Sequence, residues 1–351
     1  MERKVRLFIC TILILILGIF LFACAGSNEE EQNNGGEEQE TYEFSAVWVA
    51  AEDTPMVRTA KRLAENLETK SDGLIKTTIY HSQQISTSDR ENAEKVQQGI
   101  VQMTTIPTFS VAEVSGIKEF SLFDLPYLFS SEEEINNLLD SDIMKPYYDQ
   151  LLQKTGFRSY SGYFAGWTKV GTTRKEVNEP KDLAGLRIRT TASESNMELM
   201  KAWGAAPTPM AFGEVFTGLQ QGTIDGLLGQ TTMIHDEKFY EALKYLIEVN
   251  PNANTHVVLV NDSWYQKLPD DLKTIFDECM AEYLVDIRKA LIEAEIEAME
   301  SVAKSGVCEM IYLSDAERAE WSALTEAAQN QLAEKIVGID FVNSVKNFLG
   351  D

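Results

Sequence analysis

Apolar and polar positions change period several times along the chain. Over 54–70 the apolar residues Met56, Val57, Ala60, Leu63, Ala64 and Leu67 recur at helical spacing, and the opposite face is polar. Asp72-Gly73 stops that helix. Strand-like runs flank it at 43–49 and 74–80, followed by a helix over 89–99 and a strand over 100–106. Strands alternating with helices predict right-handed crossovers and a mainly parallel sheet. A second α/β block spans 157–250, with strands at 157–164, 168–172, 186–190, 223–228 and 244–249 and helices at 193–203 and 213–221. The apolar strand 255–260 can return the chain to the first block, and such an extra crossing is what a hinge requires. A long helix follows over 270–304, with Leu272, Phe276, Cys279, Tyr283, Ile287 and Leu291 among its apolar positions. At 1.5 Å per residue it would run roughly 50 Å, more than one lobe needs, so it can brace both. Its stripe is wide and includes alanines, unlike a strict coiled-coil heptad. A short strand at 307–312 and a helix from Ser314 close the chain.

The N-terminus reads as an address. Arg3, Lys4 and Arg6 precede an apolar run over 7–22, and Leu21-Phe22-Ala23-Cys24 resembles a lipobox, where a bacterial lipoprotein is cleaved and its new N-terminal cysteine acylated. Residues 28–40 (NEEEQNNGGEEQE) carry no apolar side chain and cannot bury enough surface to fold. The expected organisation is a signal peptide (1–23), a lipidated Cys24 with an acidic tether (24–41), an N-terminal α/β lobe (42–156), a C-terminal α/β lobe (157–254), and a closing segment (255–351) with the returning strand, the long helix and further helices. The predicted location is extracytoplasmic, lipid-anchored to the outer face of the bacterial cell membrane.

Charge and chemistry narrow the function. The net charge is −24, of which residues 1–23 hold +2 and residues 24–40 hold −6, leaving −20 for the rest. A domain this acidic repels nucleic acid and anionic lipid, and an anionic ligand would need a local basic site. The three histidines, His81, His235 and His256, lie in no metal-ligand spacing, and consecutive His235-Asp236-Glu237 on a helix would point to different faces. The chain has no nucleophile elbow, phosphate loop or dinucleotide fingerprint. The expectation is therefore no enzyme, no metal and no cofactor. Cys279 and Cys308 are expected as buried free thiols.

The segment 179–226 is the most informative. Pro180-Lys181-Asp182-Leu183-Ala184-Gly185-Leu186-Arg187-Ile188-Arg189 reads as a turn feeding a short strand with an arginine at its tip. A guanidinium there can clamp a carboxylate, because its planar fork matches two oxygens. Strand alternation puts Arg187 and Arg189 on one face and does not choose between them. Gly204-Ala205, Pro207-Thr208-Pro209-Met210, Glu214-Val215-Phe216, Leu219-Gln220 and Gly222 with Asp225-Gly226 follow. With Gln83-Gln84-Ile85, Asp89-Arg90 and Phe123-Asp124-Leu125-Pro126-Tyr127-Leu128-Phe129 in the first lobe, the chain resembles the solute-binding proteins of TRAP (tripartite ATP-independent periplasmic) transporters, the DctP-type family. The resemblance covers essentially all of 42–350.

That resemblance implies an α/β, two-lobe, periplasmic-binding-protein-like fold (type II-like), hinged and spanned by a long helix. It implies closure on a small organic acid and delivery to membrane permease subunits driven by an ion gradient. It favours Arg189 as the carboxylate partner, with Arg187 at the surface, and puts Lys169 where many relatives hold a second basic residue. Trp167 can stack on a ligand or pack in the core. Phe212 is expected to line the cleft, and Glu214 to sit in a helix first turn. Loops after the first-lobe strands should face the crevice, which nominates Trp48, Glu52, Asp89 and Thr105. After Asp225-Gly226 the chain has Leu227-Leu228-Gly229-Gln230, where relatives that bind sugar acids or dicarboxylates commonly place Glu and Asn. The pocket accordingly suits a more apolar monocarboxylate, the alternative being that Gln230 or Thr231 substitutes for those polar groups; Gly229 and Gln230 are the expected local contacts. A monomer is expected. The main rival function is a sensing lipoprotein that presents a solute to a receptor.

Overall fold

The computed structural model describes residues 40–350; the expected signal peptide, Cys24 and nearly all of the acidic tether lie outside them. The first lobe starts with β1 (Tyr42–Val47), α1 (Pro55–Lys70), β2 (Ile75–Tyr80), α2 (Asp89–Gln97) and β3 (Met103–Pro107). β1 lies between β2 and β3 and is parallel to both. Helix α1 begins where its sequence says it should: Thr54 Oγ1 accepts from Val57 N–H at 3.4 Å and Pro55 occupies the first turn, where a missing N–H costs nothing. Its Val57, Ala60, Leu63 and Leu67 are buried against the sheet. Next come α3 (Thr108–Ser115), a 3₁₀ segment (Lys118–Asp124), α4 (Glu132–Asp140) and α5 (Lys145–Thr155).

The chain then crosses to the second lobe through β4 (Phe157–Thr172), one 16-residue strand. Sequence reasoning divides this stretch in two. Its register against the returning strand is interrupted twice, between Ser159 and Gly162 and between Phe164 and Trp167. Glycines let the strand bend there without breaking. A Cβ at Gly162 would come within 2.1 Å of the His256 carbonyl oxygen, and Gly166 has φ +122°.

The second lobe holds β5 (Arg187–Thr190), α6 (Glu194–Ala202), β6 (Ala206–Pro209), α7 (Val215–Gln221), β7 (Gly226–Gln230), α8 (Thr231–Asp236) and β8 (Tyr245–Ile247). β9 (Ala253–Asn261) returns to the first lobe, antiparallel to both β3 and β4. The resulting order is β2-β1-β3-β9-β4-β7-β5-β6, with β8 beside β4. The opening strands keep the expected parallel pairing, as do β5, β6 and β7, while β4 and β9 make the sheet as a whole mixed. The two crossing strands are neighbours, one leaving the first lobe and one returning, so they must oppose each other and the strands they join.

After the single turn α9 (Asp262–Tyr265), α10 (Asp270–Ser305) runs 36 residues, roughly 54 Å at helical rise. Leu272, Phe276, Met280, Tyr283, Ile287 and Leu291 pack into one first-lobe core, while Val302 joins a second-lobe core with Leu246 and Cys308. Ion pairs follow the same division. Asp286 binds Arg62 at 2.7 Å and Arg288 binds Asp140 at 2.6 Å in the first lobe; Glu295 binds Lys169 at 2.7 Å in the second. β10 (Glu309–Ile311) pairs with β8, α11 (Asp315–Leu332) buries Trp321 against Trp203, and α12 (Ile339–Leu349) returns Val342 and Val345 to the first lobe. Cys279 and Cys308 are buried free thiols. Among the described residues, no helix is long and apolar enough to cross a membrane.

Candidate ligand-binding site

A cavity of about 640 Å³ lies between the lobes, bordered by both and by Leu291 of α10. The lobes also approach each other beside it: a Cβ at Gly213 would sit 3.1 Å from Gln83 Oε1. Opposite them, the Ala51 amide faces the Glu237 carboxyl and opposes the upward push that burial gives it.

Arg189 stands at the cavity end of β5 and is only 4% exposed. Its Nε and Nη2 donate to the Met210 carbonyl at 3.2 and 3.1 Å. That carbonyl is in reach because β6 pairs parallel with β5, register Thr190 to Pro209, and the Met210 amide then donates to Thr190 O. Prolines at 207 and 209 are compatible with β6 because it is an edge strand. A guanidinium has five N–H donors, so three remain without a hydrogen-bond partner among the described residues. Burial pulls its pKa down to about 10, opposed by the Asp89 carboxylate.

Arg187, two residues earlier, is exposed and forks onto Asp225, with Nε to Oδ2 at 2.9 Å and Nη2 to Oδ1 at 2.8 Å. The same carboxylate accepts from the Arg187 amide at 2.9 Å. Asp225 thus ties β5 to the start of β7. Gly226 follows because a Cβ there would lie 2.2 Å from the Gly171 carbonyl oxygen.

On the first lobe, Asp89 opens α2 after the N-cap Ser88 and borders the cavity half-buried. Burial pushes it up to about 6, with Arg189 pulling the other way. Trp48 and Thr105 also border the cavity, but the Thr105 hydroxyl already accepts from Trp48 Nε1 at 2.8 Å and meets Tyr163 Oη at 2.7 Å. Tyr163 in turn stacks on His256 at 5.5 Å. Phe212, Gly229 and Gln230 line the second-lobe side, and Leu228 joins them.

Four nominated residues are not brought to the cavity. Lys169 is 1% exposed, and its ammonium is held by Glu295 at 2.7 Å and the Trp167 carbonyl at 3.4 Å. The buried carboxylate of α10 claims that cation. Trp167 packs on Phe164 at 5.2 Å on the first-lobe core. Glu52 is exposed and pairs with Lys61 at 2.5 Å. Thr231 likewise turns its hydroxyl to Glu295 at 3.1 Å.

Other polar residues at the cavity escape sequence reasoning. Asp124 is 6% exposed, its Oδ2 has no hydrogen-bond partner, and burial pushes its carboxyl up to about 8. His256 is buried with Nδ1 unpartnered, and burial pulls its imidazole down to about 4. Asn252 joins three chain segments at the lobe junction, through Asn196 Oδ1 at 2.6 Å, the Asp124 carbonyl at 3.4 Å and Thr168 Oγ1 at 2.5 Å. The Phe-Asp-Leu-Pro run around Asp124 is the only local signal for any of these. His235 uses both ring nitrogens, on Asp236 at 2.8 Å and Ser301 at 3.0 Å. Among the described residues no cluster of His, Cys, Asp or Glu could hold a metal ion.

Two α/β lobes crossed by two strands and a bracing helix, with a desolvated guanidinium in the cleft between them, make a hinged solute-binding protein. Comparison with known proteins fixes the kind. Residues 44–335 match the DctP family, described as bacterial extracellular solute-binding protein, family 7, and the chain belongs to it. It is a TRAP transporter solute-binding protein, of a family whose members are extracytoplasmic and work with membrane permeases. The C4-dicarboxylate-binding periplasmic protein DctP of Rhodobacter capsulatus is 29% identical over 301 residues, 85% of this chain and 88% of its own. The sialic acid-binding periplasmic protein SiaP of Vibrio cholerae is 30% identical over 221 residues, 63% of this chain and 68% of its own. The sugar acid binding protein of Advenella mimigardefordensis, solved with galactonate, superposes with a TM-score of 0.82 at 25% identity, covering 88% of this chain and 97% of its own. A TRAP binding protein of Sulfurospirillum deleyianum with bound succinate gives 0.81 at 25% identity, covering 88% and 99%.

Proposed function

We propose that the protein captures a small monocarboxylate between its lobes and hands it, unchanged, to a TRAP permease. The observation that carries this reading is Arg189, a buried guanidinium bordering the inter-lobe cavity with N–H donors that no anion among the described residues occupies. A ligand carboxylate would take two of those donors in plane. Relatives bound to succinate and galactonate support the acid class. The Leu228-Gly229 wall and the aromatic rings of Trp48 and Phe212 favour an apolar body over a second acid or a polyol.

In this reading Asp89 and Thr105 border the ligand from the first lobe, and Gln230 from the second. The lobes correspond to 42–156 and 157–254, with 255–351 serving both. The protein is not an enzyme, acts as a monomer, and is lipid-anchored through Cys24. Mass spectrometry of the membrane-extracted N-terminal peptide tests the anchor: an unmodified Cys24 refutes it. A thermal-shift panel of organic acids tests the function, since a ligand that binds only the folded protein raises its melting temperature. Stabilisation by neutral sugars alone would overturn the carboxylate assignment.

A further inference from the structure

The charge lining the cavity runs against a dianionic cargo. Six acidic residues and two arginines border the cavity, and one of those arginines, Arg90, is exposed and paired with Glu94 at 3.1 Å. Arg189 is therefore the one buried cation facing the space, among the described residues. Two of the six carboxyl groups are at least half-buried and have no hydrogen bond or ion pair to their side chains among the described residues. They are half-buried Asp89 and Asp124, whose Oδ2 is fully enclosed. Asp89 lies near enough to Arg189 for the two to feel each other's charge. A third carboxyl, Glu237, comes from the second lobe.

We propose that the ligand is a zwitterion, with its carboxylate on Arg189 and a cationic nitrogen facing Asp89 and Asp124. The inference rests on the reading of Arg189 as the carboxylate site and adds the second charge. A lone carboxylate would satisfy Arg189 but leave both acids without a hydrogen-bonding partner. A dicarboxylate would add a like charge beside them, an arrangement that excludes wrong partners. A fixed positive charge supplies the missing partner. Trp48, Phe109 and Phe212 border the same space and suit it, since aromatic faces attract ammonium groups. Burial holds the Asp124 carboxyl neutral near pH 7 in the empty protein, and an ammonium beside it would favour its ionised form.

The test is calorimetry on the full-length mature protein with matched probes: phenylalanine against phenylpropionate, β-alanine against propionate, glycine betaine against tert-butylacetate, and succinate. At least one zwitterion should bind about tenfold or more tighter than its nitrogen-free counterpart. Asp89→Asn or Asp124→Asn should reduce that ratio about tenfold. The wild-type ratio is measured independently of whether either variant folds. Nitrogen-free acids or succinate binding as tightly as every zwitterion would overturn the inference, as would a ratio unchanged in both folded variants. If nitrogen-free acids bind and Arg189→Ala weakens them, the carboxylate site stands and only the zwitterion falls. If choline or ethylamine binds and no acid does, both fall.

Discussion

Replacing Arg189 by alanine should abolish most ligand affinity while leaving the empty protein at least as stable. In the empty cleft the guanidinium is 4% exposed and carries no ion pair, and its pKa falls from 12.5 to about 10. At about 1.4 kcal/mol per unit, that is on the order of 3 kcal/mol against the charged form. Removing it relieves this cost and gives up only the two bonds to the Met210 carbonyl. In the complex the balance reverses, because a carboxylate enclosed without its fork costs on the order of 2–5 kcal/mol. Affinity should fall roughly 30-fold to several thousand-fold. Arg189→Lys should recover only part of this, since an ammonium cannot present two coplanar donors. Isothermal titration with the best acid from the panel reads the affinity, and urea melts read the empty protein. Arg187→Ala is the matched control: its fork holds Asp225, so affinity should be unchanged. An Arg189→Ala affinity within about threefold of wild type would refute the carboxylate assignment.

Breaking the buried Lys169–Glu295 pair with Lys169→Met should cost about 3–5 kcal/mol in urea denaturation, and adding Glu295→Leu should restore most of it; a neutral single variant would show that the pair does not brace the junction. Asp124 has a folded pKa of about 8, above its ordinary 3.8, so its ionisation penalises the fold increasingly from pH 4 to pH 8. Asp124→Asn should therefore raise the melting temperature of the empty protein at pH 8–9 and change it little near pH 4, whereas a pH-independent difference would contradict the burial argument. His256 has the opposite sign: its pKa is depressed to about 4, so its contribution is complete above pH 6.5 and is lost as pH falls toward 4. His256→Gln should flatten the acid limb of stability over that window, and an unchanged limb would assign it elsewhere. With −20 on the folded part, added salt should speed association of succinate and leave that of glycine betaine nearly constant in stopped-flow measurements; equal salt slopes would mean that the global field does not reach the cleft.

The long helix and the opening β–α alternation were readable because each repeats its own period over many residues. The strand β4 was not. Its bends at Gly162 and Gly166 interrupt alternation in the way a strand end would, and only pairing with β9 shows that it continues. Alternation also could not separate Arg187 from Arg189; Asp225, 38 residues on, fixes the first as a fork between strands. Lys169 looked available because its partner Glu295 lies 126 residues away on another element. Asp124 and Asn252 carry almost no local signal, since their placement depends on three segments meeting at the lobe junction. Short-range chemistry was visible in the chain, whereas burial and distant counter-charges were not.

Three elements tie the lobes together, β4, β9 and α10, and the polar contacts between lobes concentrate where those elements cross. Asn252, Asn196 and Thr168 satisfy one another there, while Glu295 fixes Lys169 on the helix side. Those side chains already have partners within the protein. The unfinished chemistry lies across the cavity: spare donors on Arg189 from the second lobe, and unpartnered carboxyls on Asp89 and Asp124 from the first. A ligand shifts the equilibrium between open and closed forms only through contacts that differ between them. A molecule that meets Arg189 from one lobe and the carboxyls of the other gains both sets of contacts on closure; a simple anion gains only the guanidinium half. The same opposition of charges that would make a zwitterion fit would therefore also make it the better closing ligand.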